Sequence, residues 1–381
     1  MQVSLFSSWG VQCGIADYSA KLVSALRGLE DTSVNVIAFD RQPHPRADYV
    51  RWGQALNAGD VAHVQHEYTF FGYLTPWHNH FEAFARQIRR PLVLTRHVSF
   101  DGPLHLPGRG WRSALHQFKW ALYNRWLGPY ARYLNRGMFD RAQHVIVLSQ
   151  HLKDQLTARG YPKQRISVIP PGIEMAGAVS GAPDLRAAWR WADKTIIGMF
   201  GFITAAKGHR LAVEALAQLD EAYVLLIAGG VRRPADEPVR AALLRQIEGL
   251  GLGERVRLTG YLPEADVGAH LAACELLVYP YTRVDTSYSL SAGLAHHTAP
   301  LLVSDVAAHR EVAGQSGAAA LFRSGDSAAL AHEIRSLSQD PTRRAELMAN
   351  AERYARANDW TTAARRTRDV YTQVLNEAHR L

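Results

Sequence analysis

Short, β-branched apolar runs alternate with amphipathic stretches of helical length along the whole chain, and the pattern occurs six times in each half. The runs cover 2–6, 34–39, 61–65, 92–96, 144–148 and 166–169, then 195–200, 223–228, 256–259, 276–279, 300–303 and 319–322. Most are continuously apolar rather than alternating, which suits strands covered by helices on both faces. Strand–helix–strand repetition builds a mostly parallel sheet, and this many strands split more readily than they share one sheet. The expected architecture is therefore α/β: two Rossmann-like, doubly wound domains facing a cleft. The break falls at Pro170-Pro171-Gly172 and in the Gly-, Ala-, Ser- and Pro-rich stretch 176–183, separating 1–172 from 173–358. A last helix is expected over 361–378, after the capping pair Asn358-Asp359, with Ala363, Val370, Val374 and Ala378 on its apolar stripe.

Composition narrows the class. With 381 residues, 47% hydrophobic and 20% charged, the chain can bury two cores, and disorder, collagen and a small disulfide scaffold are poor readings. No apolar run reaches the length of a membrane-spanning helix, and the start, Met1 to Phe6, reads as a buried strand rather than a leader. Two cysteines, Cys13 and Cys274, suit a reducing interior, hence a cytoplasmic location. The net charge of +8 suits an anionic partner, either a phosphate-bearing ligand or an acidic membrane surface; without a recognised motif, nucleic acid is not expected. One insertion, 99–141, holds nine aromatics and seven Lys/Arg against two Asp. Its stripe Trp111, Ala114, Leu115, Phe118, Leu122 and Trp126 either packs on the N-terminal sheet or lies, with the basic face, on anionic lipid at the inner face of a membrane.

Ligands of open parallel sheets bind at the carboxyl ends of strands, where helix N-termini point into the crevice. Four such turns stand out. The first runs from Trp9 through Gly14, Ile15 and Asp17 into a helix expected at 20–27; Gly14 is either an anion-approach residue or a turn glycine. The second, Gly201-Phe202 to Lys207-Gly208, sets a lysine in a glycine-flanked turn, placed to neutralise a diphosphate or merely exposed. It lacks the Gly-x4-Gly-Lys-Ser/Thr order of a P-loop, which argues against an NTPase. The third, 280–291, brings Asp285 and several hydroxyls to a helix start. Thr286 or Ser287 caps that helix, or the N–H groups of Tyr288, Ser289 and Leu290 hold phosphate oxygens. The fourth contains His97, structural or able to donate to a sugar hydroxyl or developing charge.

Taken with Cys13-Gly14-Ile15, Thr95-Arg96-His97, Val64-Gln65-His66-Glu67-Tyr68, Leu258-Thr259-Gly260-Tyr261-Leu262, Val168 to Gly172 and Asp359-Trp360, these turns resemble the GT-B-fold retaining glycosyltransferases of family 4 over nearly the whole chain. The resemblance implies transfer of a sugar from a nucleotide-diphosphate sugar to a hydroxyl of a saccharide, a lipid-linked glycan or a small metabolite, as in polysaccharide or glycoconjugate assembly. The nucleotide sugar is a co-substrate, and neither a cofactor nor a metal is implied. By similarity 1–172 takes the acceptor, 173–358 holds the donor, and 359–381 crosses back to the N-terminal domain. Lys207, His97 and Asp285 are then catalytic candidates, with Lys207 on the diphosphate and His97 on the transferred sugar. Gly14, Ile15, Gly201, Phe202, Tyr288, Ser289 and Leu290 line the donor, and Gly260, Tyr261 and Leu262 edge the base. Asp17, His66, Glu67 and Tyr68 are acceptor-side candidates. The chain departs from the family at its Glu-x7-Glu motif, whose second position falls on Gly293, or on Ala292 if the register slips by one. It departs again at Phe202 and Ala206, where an arginine and a glutamate are usual. A non-catalytic nucleotide-sugar-binding subunit of another transferase is the alternative those losses leave open.

Overall fold

A computed structural model of the chain describes residues 1–11, 13–72, 79–97, 140–177, 182–232, 234–284 and 287–380, together with 118, 121, 122 and 125. These residues form two compact units, Met1–Gly172 with Trp360–Leu381, and Ile173–Asp359. Most of the insertion 99–141 lies outside the described residues; Phe118 and Leu122, two members of its expected stripe, are 66% and 51% exposed.

The first unit is built on six parallel strands: β1 (Gln2–Ser8), β2 (Ser33–Phe39), β3 (Val61–His66), β4 (Leu92–Arg96), β5 (His144–Val147) and β6 (Ile166–Val168), in the order β2-β1-β3-β4-β5-β6. Its helices are α1 (Gly14–Arg27), α2 (Arg46–Ala55), α3 (Phe81–Ala85) and α4 (Gln150–Ala158). The second unit repeats the plan with β7 (Thr195–Phe200), β8 (Tyr223–Ala228), β9 (Val256–Leu258), β10 (Leu276–Tyr279), β11 (Leu301–Ser304) and β12 (Ala319–Phe322), ordered β12-β11-β10-β7-β8-β9. Its helices are α5 (Ala182–Ala188), α6 (His209–Leu216), α7 (Glu237–Gly249), α8 (Glu264–Ala272), α9 (Tyr288–His296), α10 (Ala307–Ser316), α11 (Ser327–Gln339) and α12 (Pro341–Ala357). The last helix, α13 (Trp360–Ala378), belongs to the first unit and packs along α1.

Continuous apolar strands have the expected reason. In the second unit, Ile197, Met199, Leu225, Ile227 and Val278 feed one buried cluster. Their neighbours Ile196, Val224, Leu226, Leu277 and Tyr279 feed another on the opposite face. Period-two geometry sends successive side chains to opposite faces, so a sheet covered twice needs both sets apolar; each such side chain contributes about 1.5–3 kcal/mol on burial.

Differences from expectation occur where polar side chains find partners inside. Strand β1 runs two residues past its apolar run, because Ser7 and Ser8 pair with Ala38 and Phe39 and the Ser7 hydroxyl meets that of Ser19 at 2.6 Å. Helix α1 starts at Gly14, six residues before the expected Ala20: the Asp17 N–H already donates to the Cys13 carbonyl, and Ser19 Oγ donates back to the Ile15 carbonyl. On α13 the buried stripe is Ala363, Ala364, Thr367, Val370, Tyr371 and Val374, while Ala378 is exposed. Asn358 closes α12, and its carbonyl accepts from the Ile173 N–H at 2.8 Å.

Candidate functional site

In the second unit, the turn after β7 and the loop after β10 meet backbone to backbone. The Thr282 N–H donates to the Ala206 carbonyl at 2.9 Å, and Gly208, at φ +71°, lies so close to the Pro280 carbonyl that a β-carbon there would collide with it. Lys207 ends a 3₁₀ turn, Ala205–Lys207, and its ammonium donates to Ser289 Oγ at 2.9 Å above the Tyr281 ring, 5.5 Å from the centroid. Gly201 completes the niche: at φ +115°, a β-carbon there would strike both Lys207 Nζ and Ser289 Oγ. Tyr281 is held from behind by His309, 5.2 Å away centroid to centroid, whose imidazole is pushed down to about 4 by burial and so stays neutral. Among the described residues no carboxylate pairs with Lys207.

Helix α9 starts at this ammonium. Ser287 caps it, accepting from the Leu290 N–H at 3.1 Å. That bond occupies one of the three amides expected to face an anion. The Ser289 N–H also lies in the first turn and adds to the positive end of the helix. Nearby, the Phe202 ring lies almost parallel to Tyr261, at 19° and 6.3 Å between centroids, with the Arg232 guanidinium 5.7 Å over Phe202. Tyr261 is 67% exposed and follows Gly260; Leu262 packs against the core. Asp285 and Thr286 lie outside the described residues.

Gly293, one of the two positions on which the second carboxylate of the motif falls, has no room for a side chain. The Tyr279 hydroxyl, fully buried, donates to the Ser289 carbonyl at 3.1 Å and fills the space a β-carbon at Gly293 would need. We predict that Gly293→Ala destabilises the second unit by about 1–3 kcal/mol, the usual cost of overpacking. In a Tyr279→Phe background, which removes the colliding oxygen, less than half of that loss should remain in urea unfolding. Equal losses in both backgrounds would refute the clash.

In the first unit, His97 follows β4 and is 7% exposed. Its Nε2 meets Gln65 Oε1 at 2.7 Å, the Tyr18 ring stands edge-on to it at 4.9 Å, and burial pushes its pKa down to about 3. The acceptor-side candidates divide. His66 is buried, stacked on Phe71 at 5.6 Å and edge-on to Phe81 at 5.4 Å; burial, with Arg96 and His97 nearby, pushes it down to about 3. Glu67 is half-buried and Asp17 exposed. Tyr68 begins the turn Tyr68–Phe71, and its side chain lies outside the described residues. Gly14 is exposed at the first position of α1, with open space where a β-carbon would sit; it is not a turn glycine, and Ile15, half-buried, packs on the core. Residues not anticipated are Gln65 and His63 on β3, Tyr371 on α13, and Arg232. The alternation His63, Gln65 inside an otherwise apolar strand was the available signal for the first two. Among the described residues no group of three His, Cys, Asp or Glu side chains could hold a metal ion, and no helix is long and apolar enough to cross a membrane.

Residues 182–357 match the family model described as glycosyl transferases group 1, and residues 14–176 that described as glycosyltransferase family 4. Among named relatives, a 2-deoxystreptamine glucosyltransferase of Streptomyces kanamyceticus is 26% identical over 234 residues, covering 59% of each chain. A D-inositol 3-phosphate glycosyltransferase of Thermobispora bispora is 28% identical over 233 residues, 58% of this chain and 53% of the relative. The chain thus aligns with little more than half the length of these relatives. Among solved structures, HepE of Anabaena in complex with UDP superposes with a TM-score of 0.73 at 20% identity, over 98% of this chain and 100% of that one. Sucrose-phosphate synthase from Thermosynechococcus elongatus gives 0.71 at 17% identity, over 99% of both.

Proposed function

Because the chain belongs to the GT-B-fold glycosyltransferases of family 4, we propose that it moves a sugar from a uridine-diphosphate sugar to a hydroxyl of a small polyhydroxylated acceptor, with retention of anomeric configuration. The observation that carries this reading is the Lys207 ammonium, unpaired with any described carboxylate and set beside Ser289 at the start of α9. A cation and a helix N-terminus together make a fixed positive end for a diphosphate, in the ground state and more strongly as it departs.

In the proposed step the bond between the anomeric carbon and the diphosphate oxygen breaks. The acceptor oxygen bonds to the same face of that carbon, and the acceptor proton passes to the departing phosphate oxygen. Lys207 and the Ser289 amide stabilise the charge that develops on the leaving group, so this step needs no metal. The Phe202–Tyr261 pair, with its exposed Tyr261 face, suits stacking of the nucleobase, and His97 contacts the transferred sugar. HepE was solved with UDP and with UDP-glucose, and the relatives above are named for 2-deoxystreptamine and D-inositol 3-phosphate; uridine-diphosphate hexoses and cyclitol acceptors are therefore the first to try. Cytoplasmic location is carried by the two buried free thiols, Cys13 and Cys274, which suit a reducing compartment. A peripheral contact with anionic lipid rests on the basic insertion 99–141 alone.

The test is incubation of the purified protein with UDP-glucose, UDP-galactose and GDP-mannose, each with 2-deoxystreptamine and with inositol 3-phosphate. Nucleoside diphosphate release and the configuration of the product are read by NMR. Acceptor-dependent release with a retained anomeric centre is the expected result. Calorimetric binding of UDP without release under any pairing would favour a binding subunit instead, and neither binding nor release would refute the reading.

A further inference from the structure

A line of buried polar side chains joins His97 to the terminal helix. His97 Nε2 meets Gln65 Oε1 at 2.7 Å, and Gln65 Nε2 faces His63 Nε2 at 3.3 Å. His63 Nε2 also meets Thr95 Oγ1 at 2.7 Å, and His63 Nδ1 meets the Tyr371 hydroxyl at 2.5 Å. Tyr371 lies 308 residues further along the chain than His63, yet all five side chains are at most 7% exposed.

The amide of Gln65 sets the protons along this line. An amide accepts only through Oε1 and donates only through Nε2, so the two imidazole nitrogens it faces must differ. With Oε1 turned to His97 and Nε2 to His63, His97 carries its proton on Nε2 and His63 Nε2 is bare. The Thr95 hydroxyl then donates to that bare nitrogen, and His63 Nδ1–H donates to the Tyr371 oxygen. Both imidazoles are pushed down to about 3, chiefly by burial, in keeping with one proton each. The Tyr18 ring, edge-on to His97 at 86° and backed by Trp360 at 5.3 Å, opposes rotation of the ring.

We propose that Gln65, His63 and Tyr371 are positioning residues that hold His97 in its Nε2–H tautomer, so that Nδ1, without a hydrogen-bond partner among the described residues, faces the substrate as an acceptor. The functional half of this proposal rests on the reading of His97 as a sugar contact; the tautomer itself does not. It also reverses the role expected of His97, from donor to acceptor. A sugar hydroxyl donating to a neutral Nδ1 is held without adding positive charge beside the reacting carbon. Because α13 supplies Tyr371, the chain's last helix takes part in setting the histidine's hydrogen-bonding face.

Nitrogen NMR of the full chain labelled with ¹⁵N-histidine tests the proposal without any reaction. His97 should show a protonated Nε2 and a bare Nδ1, and His63 the opposite pattern. Gln65→Glu can still accept from His97 and should leave its nitrogen signals in place while moving the His63 proton onto Nε2. Gln65→Leu should release the His97 tautomer. In the transfer assay, kcat should fall about tenfold in Tyr371→Phe and about a hundredfold in Gln65→Leu, with the donor KM within about twofold of the unsubstituted protein. A His97 protonated on Nδ1, or nitrogen signals unmoved by Gln65→Leu, would overturn the proposal. Shifted signals with undiminished kcat would overturn the positioning role. Absence of transfer by the unsubstituted protein counts against the proposed function instead, and the nitrogen signals then decide the tautomer on their own.

Discussion

Replacing Lys207 with methionine is expected to lower kcat/KM for sugar transfer about 10²–10³-fold, the range seen when one fixed donor to a developing negative charge is removed, and to weaken UDP binding about tenfold. The stability of the second unit should change by no more than about 1 kcal/mol, since the ammonium makes one hydrogen bond to Ser289 and a distant contact with Tyr281. Arginine should not rescue. The niche is closed by Gly201, whose bare α-carbon lies against the ammonium, and a planar guanidinium has neither the size nor the geometry of that point charge. Transfer and UDP affinity both unchanged in Lys207→Met would remove the reading of this niche as a diphosphate site.

Mild acid should destabilise the first unit well before its carboxylates titrate. His63, His66 and His97 are each pushed down to about 3, mainly by burial, from an ordinary value near 6.5. Between those values the unfolded chain binds a proton at each site and the folded unit does not, so stability is fully present above pH 6.5 and is lost as pH falls towards 3. From pH 7.5 to 5.5 the loss is about 1.4 kcal/mol for each histidine, hence ~4 kcal/mol for the three, a sizeable fraction of a typical domain's stability. Urea unfolding followed by hydrogen exchange of the β3 and β4 amides measures it. His66→Phe, which keeps an aromatic ring against Phe71 and Phe81, should make the dependence shallower by about one proton. A first unit whose stability is flat over this range would show that these imidazoles are not buried neutral.

The two largest effects differ in how visible their causes were. Lys207 stood out because a glycine-flanked lysine after a strand is a local pattern, readable within eight residues. The acid-labile cluster was only half visible: His63, Gln65 and His66 interrupt an apolar run, but nothing nearby identifies their partners. Asp285, flagged from the same local logic as Lys207, lies outside the described residues, so its carboxylate enters none of the geometry above.

Strand positions follow from the chain alone, because covering a parallel sheet on both faces leaves a mostly apolar run whatever the rest of the protein does. The α/β class, the parallel direction of the strands and the turns at strand ends were determined at that level. Side-chain pairing was not. Ser7 with Ser19, Gln65 with His97, His63 with Tyr371 and Tyr279 against Gly293 join residues that only packing brings together. Burial is a property of single positions and leaves a periodic trace in composition. A hydrogen-bond partner or a filled space is a property of two positions at once, and no periodicity along the chain records which two will meet.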